Sequence, residues 1–242
     1  MRLLLPALAS LSCSVAMAAD LQGPVTGTGS ITTTINVEAR HGKGAHLRPQ
    51  ADEILALIKA GQLDAAEKKA IALQRSYEAL FDPGLRQHSF HSDEELAAFS
   101  KSTSEKFEWI DAGYHDSLQL QAFIAASRKN FDQALAKLRA IEILAPLSAS
   151  TSAEIGFVLN QTGKPDEGLA AYGHALDIAE EIESQQPYRA IALRGMGYSL
   201  IELGALDEAE LTLNISLELE PANETALHEL GYIRMLRQSR QN

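Results

Sequence analysis

The sequence has a single cysteine, Cys13, and it lies inside an N-terminal apolar run. Removal of that run leaves a chain with no thiol, which excludes disulfides, cysteine-ligated metal and thiol nucleophiles. Cations are also scarce: 21 Lys and Arg face 32 Asp and Glu, for a formal net charge of −11. Such a surface is poorly suited to neutralising phosphate, so nucleic acids and anionic membranes are unpromising partners. Catalytic signatures are missing as well. No G-x-S-x-G, H-E-x-x-H or Gly-Lys-Ser/Thr occurs, and Gly27-Thr28-Gly29 is not followed by the helix that a phosphate loop needs. What remains is an ordinary globular composition, 45% apolar and 22% charged.

The N-terminus reads as an export signal. Arg2 precedes the apolar stretch from Leu3 to Met17, and Ala16-Met17-Ala18 supplies a small-residue cleavage site. Cleavage is expected after Ala18, giving a signal peptide over 1–18. The run is shorter than the ~20 apolar residues that span a bilayer, and no later segment does better. The expectation is an exported chain without membrane insertion, periplasmic first and secreted second. The rival reading, a lipid-anchored Cys13, suffers from a poor lipobox in Ser10-Leu11-Ser12.

Residues 19–48 carry Gly, Thr and Pro without a helical period and are read as a flexible, disordered arm. The β-branched run Ser30 to Val37 is its one candidate strand. From about Gln50 the apolar period becomes helical almost everywhere, for example Ile54, Leu57, Ile58 and then Leu63, Ala66, Ala70, Leu73. Breaks fall at Gly61, Pro83-Gly84, Pro146, Gly163-Lys164-Pro165, Pro187, Gly204 and Pro221. No β-alternating run stands out in this part, so an all-α domain is expected. Residues 49–112 are expected to form a degenerate helical hairpin, with Ala66 at its crossing, and a helical connector opened by an N-cap at Ser92. Trp109 is assigned to the core of that connector.

One phrase recurs along 113–242. Aligned on Ala134, Gly168 and Ala209, three segments place Leu138, Tyr172 and Leu213 four residues on. Twelve residues upstream of these anchors stand Ala122, Gly156 and Gly197, and 34 residues past Gly197 comes Gly231. Small residues at both anchors let two antiparallel helices cross closely, and one such hairpin cannot bury its apolar face alone. The 34-residue spacing and the pattern of small and large positions resemble the tetratricopeptide repeat over about 115–238. The resemblance implies a right-handed superhelix of antiparallel helix hairpins, an α-solenoid, with a C-terminal capping helix. Two departures stand out. The usual aromatics of the first helix are replaced, and the step from Gly156 to Gly197 is 41, not 34. The extra length is placed in a helix running from Asp166 to about Ser184 and the turn at 185–187.

By the same resemblance, first helices line a concave groove, and the residue after each small anchor points into it. Those residues are Phe123, Phe157, Tyr198 and Tyr232, with Asn160, Arg194 and His228 at neighbouring groove positions. Relatives that clamp a chaperone C-terminus use Lys and Asn there, and this chain has aromatics where the Asn would stand. A mixed apolar groove for a protein or peptide segment fits better. The expected role is a non-catalytic scaffold, without cofactor or resident metal, for an envelope, secretion or pilus-type assembly. Two alternatives stay open: a metal protein or enzyme using His88 and His91, and a self-assembling homo-oligomer docking through residues 224–238.

Overall fold

The computed structural model describes residues 42–241. The signal peptide, the candidate strand 30–37 and arm residues 19–41 lie outside the described part. Ten α-helices follow one another: α1 (Pro49–Lys59), α2 (Leu63–Glu78), α3 (Asp93–Ser102), α4 (Ala112–Ser127), α5 (Phe131–Leu144), α6 (Ala149–Gln161), α7 (Pro165–Glu181), α8 (Arg189–Leu203), α9 (Leu206–Leu219) and α10 (Glu224–Gln241). They pair as hairpins α1/α2, α4/α5, α6/α7 and α8/α9, each packed on the next, with α10 against the last.

The four hairpin turns are made the same way. The first helix ends in a residue with positive φ: Gly61 at 73°, Lys129 at 61°, Gly163 at 77° and Gly204 at 80°. The following amide then donates back across the turn: Gln62 to Leu57, Asn130 to Ala125, Lys164 to Leu159 and Ala205 to Leu200, all at 2.9–3.0 Å. This is the Schellman closure, which satisfies orphan carbonyls and turns the chain sharply enough for an antiparallel return. Entry to the helices is set by side chains: Ser92, Asp111, Asn130 and Ser148 each accept from a first-turn amide.

The small anchors behave as their spacing suggests where a second helix crosses them. A Cβ on Gly156 would come within 2.7 Å of the Tyr172 ring, and one on Gly197 within 2.6 Å of Leu213. Gly231 meets nothing within 4 Å, since no described helix returns across α10. The apolar core is continuous from Ala51 in α1 to Leu159 in α6. Beyond α6 it divides into a cluster around Tyr172 and Ala192 and another around Leu213 and Ile233. A polar pair marks the division: Asn160 and Ser199 exchange hydrogen bonds at 2.9 and 3.1 Å between α6 and α8.

Three features correct the sequence reading. First, the connector is not purely helical. β1 (Arg86–Ser89) and β2 (Phe107–Ile110) form a parallel pair, with α3 as the crossover. Second, residues 42–48, assigned to the flexible arm, are fixed in place. Lys43 bridges Ile110, and Arg48 holds the buried Asp111 carboxylate, which also accepts from Tyr77 Oη at 3.0 Å. Third, the extra residues between Gly156 and Gly197 do not simply lengthen α7. That helix has 17 residues against 14 in α5 and α9, and a 3-10 turn over Glu183–Tyr188 takes up the rest.

The connector lies along the side of the solenoid as a strap. Glu94 of α3 accepts from the backbone amides of Glu183 and Ser184 at 2.8 and 2.9 Å, and Glu95 accepts from Gln185 Nε2 at 2.7 Å. Ala98 of α3 packs with Ala149, Ile178 and Ile182. The inserted 3-10 turn and α3 are therefore one another's binding partners.

Candidate functional site

The groove row is built by α4, α6, α8 and α10. Phe123, Phe157, Tyr198 and Tyr232 occupy equivalent helical positions and are all half-buried. Phe123 and Phe157 pack against the long N-terminal core, and Tyr232 against the C-terminal cluster. The neighbouring polar candidates are already engaged within the fold. Asn160 is paired with Ser199, and Arg194 donates to Glu220 at 2.6 Å. His228 is open, with 78% of its side-chain surface exposed beside Glu229. Along this row the neighbouring positions Gln119, Ala126 and Ala153 are buried at the N-terminal end, whereas His228 and Met235 are exposed at the C-terminal end.

Glu154, which the sequence reading did not single out, sits behind the row. It lines a narrow crevice with Ala122, Ala126, Leu138, Phe157 and Val158. Burial raises its carboxyl to about 8, only partly opposed by Gln119. Burial likewise raises the nearby Tyr172 phenol.

The histidine candidates part company. His88 belongs to β1 and is buried, with Nδ1 donating to the Leu144 carbonyl at 3.1 Å. Its ring packs against Phe99, Phe107 and Phe90, and burial lowers its pKa. The alternative site built on His88 and His91 is therefore not brought together. His91 instead faces α4. Its Nε2 lies 3.4 Å from Asp116 Oδ1, and His115 Nδ1 lies 3.4 Å from the same oxygen. The His91 and His115 rings meet edge to face at 4.5 Å. Burial alone would depress His91, but the Asp116 hydrogen bond and charge outweigh it and hold the imidazole above its ordinary value. His115 is lowered, by burial first and by His91 second. Asp116 is held far below the carboxylate range because the two histidines overcome its burial.

Residues 147–219, from the loop before α6 to the end of α9, match the family model for the tetratricopeptide repeat. That stretch is tetratricopeptide repeat. Solved structures share the fold. PilW, described as a widely conserved type IV pilus biogenesis factor, is 20% identical with a TM-score of 0.58, over 80% of this chain and 70% of its own. The tetratricopeptide-like repeats of a kinesin light chain from Podosopora anserina are 14% identical with a TM-score of 0.57, over 81% and 89%. A tetratricopeptide repeat protein from Parabacteroides merdae is 15% identical with a TM-score of 0.55, over 81% and 62%. Comparison with curated proteins gives no significant match. Among the described residues, no helix is long and apolar enough to cross a membrane. The hairpins α4/α5 and α1/α2 lie outside the matched range but are stacked in the same solenoid.

Proposed function

We propose that the chain is a non-catalytic adaptor that binds a segment of another protein along its concave groove. The carrying observation is the row Phe123, Phe157, Tyr198 and Tyr232: one ring per repeat, each partly exposed. Rings held this way offer large contact area with few rotors left to freeze. The surroundings favour an apolar or aromatic-rich segment over a carboxylate terminus, because Asn160 and Arg194 are spent on Ser199 and Glu220. The N-terminal run 1–18, read as an export signal, supports this role in a periplasm first and outside the cell second. The fold shared with PilW makes a pilus-type envelope assembly the setting we favour.

The test is a peptide library selected on the full mature chain, with hits quantified by calorimetry. Tyr198→Ala combined with Tyr232→Ala should weaken selected peptides about tenfold or more, each lost anchor costing ~1–2 kcal/mol. Unchanged affinity in a variant that keeps its helical circular dichroism overturns the groove reading.

Self-association is a second reading with its own observation. Leu211, Ile215 and Leu219 form an i, i+4, i+8 stripe on α9, and Leu211 is 63% exposed. Leu227 and Met235 are exposed on α10. Light scattering across a concentration series decides it. A monomer at every concentration ends this reading and leaves the groove untouched.

A further inference from the structure

We infer that His91, His115 and Asp116 form a binding site for a single divalent transition-metal ion of the zinc class, independent of the groove. Two imidazoles and one carboxylate are a donor set suited to zinc, and three protein ligands leave a fourth position for water or an incoming group. Their ligand atoms all lie within 4.8 Å of one another. The two Asp116-to-histidine separations are 3.4 Å each. A tetrahedron with bonds of about 2.0–2.1 Å has edges of about 3.4 Å, so two edges are already in place.

The donors are held from behind, as metal ligands usually are. His115 is buried on α4, and its Nε2 reaches Thr151 Oγ1 at 3.2 Å. With Nε2 as the donor to Thr151, Nδ1 keeps its lone pair on the side of Asp116 and His91. His91 is anchored through its backbone amide, which donates to Glu95 Oε2 at 2.9 Å, while Glu95 Oε1 accepts from Gln185. Both Glu95 oxygens are thereby occupied, so Glu95 positions His91 and leaves coordination to Asp116. Arg48, a cation that acts on His91, is paired with Asp111. The site also has an entrance: the His91 side chain is 31% exposed and that of Asp116 23%.

The imidazoles ligate through a free lone pair and Asp116 as a carboxylate, so any proton on those ligand atoms leaves as the ion enters. The ion then joins the strap, through His91 just before α3, to the first helix of the next hairpin, through His115 and Asp116. Nothing in the repeat pattern asks for this trio. The sequence places its members 24 and 25 residues apart.

The experiment uses the full mature chain, stripped with chelator and titrated with Zn²⁺ by calorimetry and with Co²⁺ by visible absorption. The expected result is one equivalent of either ion, with the intense visible bands of four-coordinate Co²⁺. His91→Ala and Asp116→Asn should each weaken binding at least about tenfold, while His228→Ala leaves it unchanged. These variants decide the matter because both side chains reach the surface. His115→Gln is added only where circular dichroism shows native helix content. Absence of binding, or full binding in His91→Ala, overturns the site. So does binding lost only on changing His41 and His46.

Discussion

The Tyr172 ring of α7 lies against Gly195 of α8 so closely that any Cβ at position 195 would overlap it. Gly156 of α6 contacts the opposite part of the same ring. One tyrosine therefore fills the space between three helices, and two glycines make that space. Gly195→Ala is expected to destabilise the chain by about 1–3 kcal/mol through overpacking. Gly231→Ala, with open space at its Cβ position, should be neutral or stabilising by up to ~1 kcal/mol from helix propensity. Urea unfolding of the two variants checks the contrast.

Glu154 makes stability depend on pH in an unusual direction for a carboxyl. Its native value, near 8, lies above the ordinary 4.5, so the native chain holds a proton that the unfolded chain releases. The stability it supports is complete below 4.5 and falls as pH rises towards 8, by at most about 1.4 kcal/mol per unit. Glu154→Gln should flatten that slope and raise the melting temperature at pH 8 more than at pH 5. Thermal unfolding across this range reads the difference.

Lys129 closes α4 with a φ of 61°, where the three other hairpins use glycine. An L-residue there costs roughly 1–2 kcal/mol relative to glycine. Lys129→Gly should recover about 1 kcal/mol, and Gly204→Ala should lose a similar amount. Chemical denaturation of the pair tests the turn geometry.

The strap gives a local prediction. Glu94 is the acceptor for the Glu183 and Ser184 amides, and those two bonds hold its carboxyl below the ordinary value. Glu94→Ala should speed hydrogen exchange at both amides by about tenfold or more, with α9 and α10 unaffected. Equal exchange in wild type and variant would show that the packing of Ala98, not Glu94, fixes the turn.

Much of the solenoid was legible because its rules are local. A small residue must stand where helices cross, so Gly156 and Gly197 announced the hairpins 41 residues apart. Glycine at 61, 163 and 204 marked the turns for its freedom at positive φ, whereas Lys129 hid an identical turn. The connector was opaque for the opposite reason. Arg86-Gln87-His88-Ser89 has no apolar alternation, and its pairing with Phe107–Ile110 is decided by partners far along the chain. The groove was half legible. The aromatic row follows from spacing, but the engagement of Asn160 with Ser199 and of Arg194 with Glu220 appears only once the hairpins are stacked. His115 and Asp116 were overlooked because they sit inside a repeat helix, and only the returning strap brings His91 beside them.

A stack of hairpins that touch only their neighbours behaves mechanically like a spring, with every joint free to give a little. The strap removes that freedom over part of its length. Its contacts at Leu144, Asp116 and residues 183–185 tether the coils from α4 to α7 side by side. Compliance is left to α8, α9 and α10, so under tension the spacing of Tyr198 and Tyr232 is expected to change more than that of Phe123 and Phe157.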